Sequence, residues 1–185
     1  MGRIVASFFI SLDGVVESPD KWHFPYFNDE MGAGIGKAME TTTAFLMGRK
    51  LYDEWAAYWP AQSESAEPDP FGDFINNVPK YVVSNSLQQA SWHNTTVVSG
   101  DVAARLAQIK ERSEGDIGMC GSATVVRWLL AHGLLDELNL MVHPIVVGHG
   151  QRLFEDEATH PLELVRHDVF KTGVLHLSYV PAEEK

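Results

Sequence analysis

One cysteine, Cys120, stands in a chain of 185 residues, so no intrachain disulfide can form and zinc sites built from cysteine pairs are excluded. Basic residues are also scarce: 14 Lys and Arg against 25 Asp and Glu leave a formal net charge of -11. Nucleic-acid binding needs clustered Lys and Arg at the phosphates, so a general nucleic-acid binder is excluded and any anionic ligand must meet local donors. No stretch approaches the roughly 18 unbroken apolar residues of a membrane helix. The N-terminus enters Arg3-Ile-Val-Ala-Ser-Phe-Phe-Ile10 without the charged leader, apolar core and cleavage site of a signal peptide. With the lone cysteine, this makes a cytoplasmic location without membrane partners the expectation.

Two catalytic patterns are missing as well. There is no Gly-x-Ser-x-Gly elbow, which a Ser-His-Asp hydrolase would need. His23, His143, His149, His160, His167 and His176 do not pair at ligand spacing with a third candidate, so they read as ordinary surface or core histidines and no metal site is expected. Cys120 has no CxxC partner and reads as an inert buried thiol.

What is present is ordinary globular composition, 45% hydrophobic and 21% charged, at a length that suits one domain over residues 1–185. The run Asp116-Ile-Gly-Met-Cys-Gly-Ser-Ala-Thr-Val-Val-Arg-Trp-Leu-Leu130 organises the rest. Ile117 to Cys120 is a short buried strand, Gly121 and Ser122 break it, and Val125, Val126, Leu129 and Leu130 recur at helical spacing. A strand feeding a helix in this way presents unpaired N–H groups and the positive end of the helix dipole, which suits a phosphate. The same residues also suit a plain tight turn with Ser122 as N-cap. Thr43 to Met47 repeats the design: a strand runs into Gly48-Arg49-Lys50 and then a helix with Tyr52, Trp55 and Trp59. Guanidinium forks suit phosphate oxygens, and two such turns in one chain strengthen the anion-site reading.

Along the rest of the chain, Arg3 to Leu12 reads as a first strand stopping at Asp13-Gly14, where Asp13 is either a carboxylate at a cleft mouth or part of a plain turn. Val15 to Asn28 is a long loop carrying Trp22, Phe24, Tyr26 and Phe27, open to reading as a lid or as a plug of the core edge. Asp29 and Glu30 begin a helix to about Thr41, as caps or as a proton donor. Gly32, Gly34 and Gly36 lack a preceding strand and the full spacing of a dinucleotide fingerprint, and read instead as letting a helix pack closely against a neighbour or a ligand. Ala61 to Pro70 reads as an exposed loop and Phe71 to Asn77 as a short helix. Lys80 to Ser84 and Thr95 to Ser99 are further strands, and Asp101 to about Arg112 a helix. Leu138 to Val147 is a strand in which Pro144 signals a bulge or an edge. Val165 to Phe170 and Val174 to Val180 form a hairpin. Strands alternating with helices and ending in a hairpin give an α/β fold around a mixed, mainly parallel sheet.

Val5-Ala-Ser-Phe-Phe-Ile-Ser-Leu-Asp-Gly14, Leu46-Met-Gly-Arg-Lys50 with Tyr52, Tyr81-Val-Val-Ser84, Gly121-Ser-Ala-Thr124 and Asp136-Glu-Leu138 with Pro144 together resemble the dihydrofolate-reductase-like superfamily. Within it they are most similar to the C-terminal reductase domain of the bifunctional riboflavin-biosynthesis deaminase/reductase. The resemblance implies a three-layer α-β-α fold with a mixed, mainly parallel sheet and a C-terminal antiparallel hairpin. It also implies NADPH across the carboxyl ends of the central strands. Arg49 and Ser84, with Asn85 nearby, match positions at the adenosine 2'-phosphate; Gly48 and Gly121, Ser122, Ala123 and Thr124 match the pyrophosphate turns, and Lys50 and Gly100 fall in the same cofactor set. Asp13, Trp22 and Phe27 match the substrate side, and Glu30 or Asp29 lies near the acid of folate reductases.

The implied activity is hydride transfer from NADPH to a carbonyl or imine of a small heterocyclic or ribosylated substrate, as in 5-amino-6-(5-phosphoribosylamino)uracil reductase, with Asp13, or Glu30 after it, as the catalytic residue that orients or protonates the acceptor. Dihydrofolate or pteridine reduction, and NADPH binding without turnover, are the alternatives. A homodimer is implied as possible. Leu51 stands where the family commonly has Thr, and the His-x-Glu and Pro-Cys-x-x-Cys of the zinc-bearing deaminase half do not occur in these 185 residues, so deamination is not expected of them.

Overall fold

Ile4, Ala6, Phe8 and Ile10 are buried in alternation with half-buried Val5, Ser7 and Phe9, and this period of two makes Ile4–Ser11 the first strand, β1. The computed structural model describes residues 1–62, 69–155 and 158–182. Helix α1 (Asp29–Thr41) follows β1, then β2 (Thr42–Gly48), α2 (Arg49–Gln62), α3 (Pro70–Asn77), β3 (Lys80–Val83), β4 (Thr95–Val98) and α4 (Val102–Arg112). The chain continues through β5 (Asp116–Met119), α5 (Ala123–Ala131), β6 (Glu137–His143), β7 (Leu162–Val169) and β8 (Leu175–Pro181).

The eight strands form one sheet in the order β4-β3-β2-β5-β1-β6-β8-β7. The pairings from β4 to β6 are parallel, and β8 is antiparallel to both β6 and β7. A mixed, mainly parallel sheet closed by an antiparallel hairpin is thus the observed architecture. Ala44 and Leu46 of β2 join Phe8, Ile10, Leu106, Val126 and Leu129 in one core, on the side of α4 and α5. Phe45 and Met47 face the other way, against Tyr52 of α2 and Ile75 of α3. Phe9 and Met141 meet Met31 of α1 on that second side. Two helical layers therefore sandwich the sheet, and β1 and β5 send their next helices to opposite faces. An open α/β sheet binds ligands in the crevice that such a reversal leaves outside the carboxyl ends of its strands.

Several local expectations are corrected. Pro144 marks neither a bulge nor an edge: β6 lies between β1 and β8, and the strand ends at His143 before the proline can cost it a ladder bond. Asn28, not Asp29 or Glu30, caps α1, its side-chain oxygen accepting from the Met31 amide at 3.0 Å. Of the three glycines in α1, Gly34 alone meets a close neighbour on the sheet: a Cβ there would stand 3.3 Å from Met141 Cε, whereas Gly36 faces open space. Ala61 and Gln62 finish α2 and Asp69 caps α3, so of the expected loop between Ala61 and Pro70, residues 63–68 lie outside the described residues.

Lys80, placed in β3 by its neighbours, is fully buried. Its ammonium donates to the carbonyls of Ile75, Asn76 and Val78 at 2.9, 3.1 and 2.9 Å and lies 4.6 Å from the centre of the Trp92 ring. It satisfies carbonyls at the end of α3 that the helix leaves without intrahelical donors. At the amino edge of the sheet, Arg3 bonds Asp116 at 3.0 Å and Glu137 at 2.9 Å, tying β1 to both neighbours. Among the described residues no helix is long and apolar enough to cross a membrane.

Candidate active site

Gly48 ends β2, Gly121 lies just past β5, and the two strands are adjacent and parallel. Their turns consequently open on the same edge, and they touch. The Gly48 amide donates to Ser122 Oγ at 2.9 Å. A Cβ at Gly48 would come within 3.0 Å of Val125 Cγ2, and one at Gly121 within 3.2 Å of Leu51 Cδ2. Gly121 also has φ +68°, a conformation glycine adopts without the cost other residues meet. Ser122 stands at the N-cap position of α5, but with φ 56° and no side-chain cap bond; its hydroxyl is turned to the neighbouring turn instead. Leu51 packs on Gly121.

The first-turn amides of α2 and α5, including those of Lys50, Ala123 and Thr124, have no carbonyl partner within their own helices, and both helix dipoles put positive charge at this edge. Arg49 is partly exposed and its Nε donates to both carboxylate oxygens of Asp53 at 2.8 Å. Lys50 reaches across to Glu17 at 3.7 Å, joining α2 to the segment after β1. Farther along the same edge, Ser84 follows β3, and its Oγ accepts from the Ser86 and Leu87 amides at 3.2 and 3.1 Å. Asn85 Oδ1 lies 3.5 Å from the Gly100 amide, which closes the turn after β4.

On the opposite flank of β5, Asp13 binds the ends of β1 and β6 together. Its carboxylate accepts from Ser11 Oγ at 2.6 Å, the Val147 amide at 3.0 Å and the Gly148 amide at 2.9 Å, with Arg152 Nη2 at 3.7 Å. These donors, the Ser11 hydroxyl first, hold Asp13 down at about 2. Glu30 accepts from the Lys171 amide at 2.8 Å and from Asn28 Nδ2 at 2.9 Å, which pull its carboxyl below the ordinary range, the Lys171 amide most. Both carboxylates therefore remain ionised at neutral pH. Asp29 is exposed.

The aromatic loop folds over the end of β1 as two short 3-10 turns, Pro19–Lys21 and Phe24–Tyr26. Trp22 is buried, with its indole N–H on the Glu17 carbonyl at 3.1 Å, while Phe24 and Phe27 keep large exposed faces. Beneath them lies a pair of residues that linear spacing could not single out, His23 and His143. His143 ends β6 directly beside Ser11 of β1. His23 stacks on Phe9 with ring centres 4.5 Å apart, and the two imidazoles lie 6.0 Å apart. The one sequence cue was a histidine set among Trp22, Phe24, Tyr26 and Phe27. Cys120 is half-buried beside the α2 core, and burial pushes its thiol up to about 12, the environment of an unreactive cysteine.

Comparison with known proteins agrees with this layout. Residues 3–176 match the family model described as RibD C-terminal domain. An uncharacterized protein of Bacillus subtilis (strain 168), YyaP, is 25% identical over 179 residues, covering 96% of this chain and 94% of its own. The crystal structure of a putative riboflavin biosynthesis protein from Shewanella sp. PV-4 superposes with a TM-score of 0.78 at 18% identity, over 99% of this chain and 100% of the other. Dihydrofolate reductase from Enterococcus faecalis, complexed with NADP(H) and RAB-propyl, superposes with a TM-score of 0.63 at 18% identity, over 98% of each chain. A dihydrofolate-reductase-like α/β fold carried by nearly the whole sequence leaves one assignment: this chain belongs to the RibD C-terminal domain family.

Proposed function

We propose that the protein is an NADPH-dependent reductase that transfers hydride to a carbonyl or imine carbon of a small heterocyclic or ribosylated substrate. The observation that carries this reading is the 2.9 Å bond from the Gly48 amide to Ser122 Oγ, which makes two strand-to-helix turns into one donor surface. Two helix N-termini converging on one point suit a diphosphate. A side chain at either glycine would push the turns apart, and their close approach supports a shared site for a diphosphate. The Enterococcus relative, whose structure holds NADP(H), supports the same cofactor.

Bound NADPH would supply the hydride. The residues of this chain bind, orient and exclude water. Lys50, Gly121, Ser122, Ala123 and Thr124 hold the diphosphate through main-chain amides, while Gly48, its own amide engaged by Ser122 Oγ, lets the first turn come close. Arg49 offers its guanidinium to the 2'-phosphate in exchange for part of its bond to Asp53, with Ser84, Asn85 and Gly100 framing the adenosine end. Trp22 and Phe27 shape the acceptor side. Asp13 and Glu30 act as positioning residues: the first fixes the Val147-Gly148 loop against β1, and the second fixes the start of α1 against the hairpin turn at Lys171.

The reading is tested by calorimetric titration with NADPH and NADH, followed by NADPH oxidation over a panel of pteridines and ribosylaminopyrimidines. Saturable NADPH binding with oxidation dependent on one acceptor is the expected result. No binding of either nucleotide would overturn the proposal, and binding without turnover over the panel would favour a nucleotide-binding protein that has lost the chemistry.

A further inference from the structure

His23 and His143 are buried, with 7% and 0% of their surfaces exposed, yet His23 Nδ1 and His143 Nε2 have no hydrogen-bond partner. Buried polar nitrogens are ordinarily paired, and one left unpaired is disfavoured unless something else meets it. The other ring nitrogen of His143 is engaged, Nδ1 lying 2.8 Å from the Met141 carbonyl, which makes Nδ1 the donor of the neutral ring and leaves Nε2 with a free lone pair. The rings around the pair are Phe9, Trp22, Phe24, Tyr26 and Phe27. Phe24 and Phe27 are 64% and 48% exposed, so the box is walled by aromatics, and these two rings form its outer wall on the loop side. It lies at the end of β6, on the same edge of the sheet as the Gly48 and Gly121 turns and on the α1 face.

The geometry points to His23 and His143 as the polar floor of the acceptor pocket, with His23 hydrogen-bonding and protonating the acceptor and His143 positioning it from behind. This inference rests on the reductase reading. As the acceptor carbon of a C=N or C=O bond receives hydride from the reduced nicotinamide, the π electrons move to the nitrogen or oxygen. His23 gives that atom its ring proton, the ring N–H bond breaks as the new N–H or O–H bond forms, and water returns a proton to the imidazole. Asp13 and Glu30, already saturated by amide donors, are left out of this step. Aromatic walls with two hydrogen-bonding nitrogens select a flat heteroaromatic acceptor.

The charged and titratable groups facing the pair are few. Asp20 raises the affinity of His23 for a proton, His143 lowers it, and Tyr26 packs edge-on to His143. Burial outweighs these and depresses both imidazoles, while the carbonyls of Met141 and Ile10 oppose it at His143. Because the donor must carry the proton, kcat/KM rises as pH falls through the lowered pKa of His23.

The test uses the full chain with side-chain nitrogen-15 histidine and backbone amide NMR, titrated with NADP+. The expected result is movement of the His23 and His143 ring signals together with the Gly48 and Gly121 amides. His23→Gln is expected to lower kcat about 100-fold, a usual scale for a lost general acid, to remove the acid-side rise, and to leave the Kd for NADPH unchanged. If the Gly48 and Gly121 amides shift while both imidazoles stay still, or if His23→Gln keeps the wild-type pH profile, the histidine role is overturned and the cofactor site stands. If the glycine amides do not shift, the reductase reading falls, and this inference falls with it.

Discussion

Gly48 and Ser122 are 74 residues apart in sequence and are joined by a single bond of 2.9 Å between the ends of adjacent parallel strands. The bond sets the separation of two helix N-termini, and what those termini can hold together depends on it. A serine at the N-cap position ordinarily satisfies its own helix; here the hydroxyl serves the next turn, and α5 keeps its positive end open.

Ser122→Ala removes that acceptor. The expected loss of stability is about 1 kcal/mol, the usual net value of one hydrogen bond, read from urea unfolding. NADPH affinity falls more than stability implies, because the cradle widens. Wild-type affinity in this variant would show that the bond does not shape the site.

Arg49→Glu replaces a cation by an anion beside Asp53. Loss of a charge-assisted bond to phosphate is worth roughly 1.5–3 kcal/mol, or about a tenfold to hundredfold rise in Kd for NADPH, whereas NADH affinity changes much less. Equal effects on the two nucleotides would place the 2'-phosphate elsewhere.

Asp13 is held at about 2 in the folded protein against 3.8 for the free side chain. A carboxyl depressed on folding contributes stability above its unfolded value, and that contribution is lost as pH falls through the folded one. Acid unfolding between about pH 4 and pH 2 is therefore steeper in the wild type than in Asp13→Asn, as followed by far-ultraviolet circular dichroism. Identical acid slopes would mean that the bonds from Ser11, Val147 and Gly148 do not persist in solution.

Lys80→Met leaves the carbonyls of Ile75, Asn76 and Val78 without their shared donor, and the expected cost is roughly 2 kcal/mol at neutral pH. Burial pushes the Lys80 ammonium down to about 8 from 10.5. Between these values the unfolded chain binds a proton that the folded one does not, so wild-type stability rises with pH over that window relative to the variant. Paired thermal melts at pH 7, 9 and 10 read both effects.

The strands and helices were legible because burial alternation and helical spacing are strong local signals, as at Ile4 to Ile10 and Val125 to Leu130. The two glycine turns were legible as a pair because each repeats strand, glycine, helix. The contact between them was not, since nothing linear says that β2 and β5 are neighbours with Ser122 reaching to Gly48. Asp13 showed the same limit. Its place after β1 was readable, but its donors Val147 and Gly148 arrive from another strand end. His143 looked like any apolar-strand histidine until the fold set His23 against it. Lys80 was hidden because a lysine in a short strand ordinarily points to solvent, and only α3 ending above it supplies three carbonyls.

Arg3 clasps Asp116 and Glu137 at one rim of the sheet, and Ser122 with Asp13 fastens the other. The middle strands are pinned at top and bottom like slats in a frame. Strand β7 lies at the sheet edge and pairs with β8, its Leu162 packed against the core but Val165 and Val169 exposed to water. In the isolated chain it is the margin from which fraying starts, so its amides exchange with deuterium well before those of β1, and the ligand crevice stays assembled while that outer hem opens and closes.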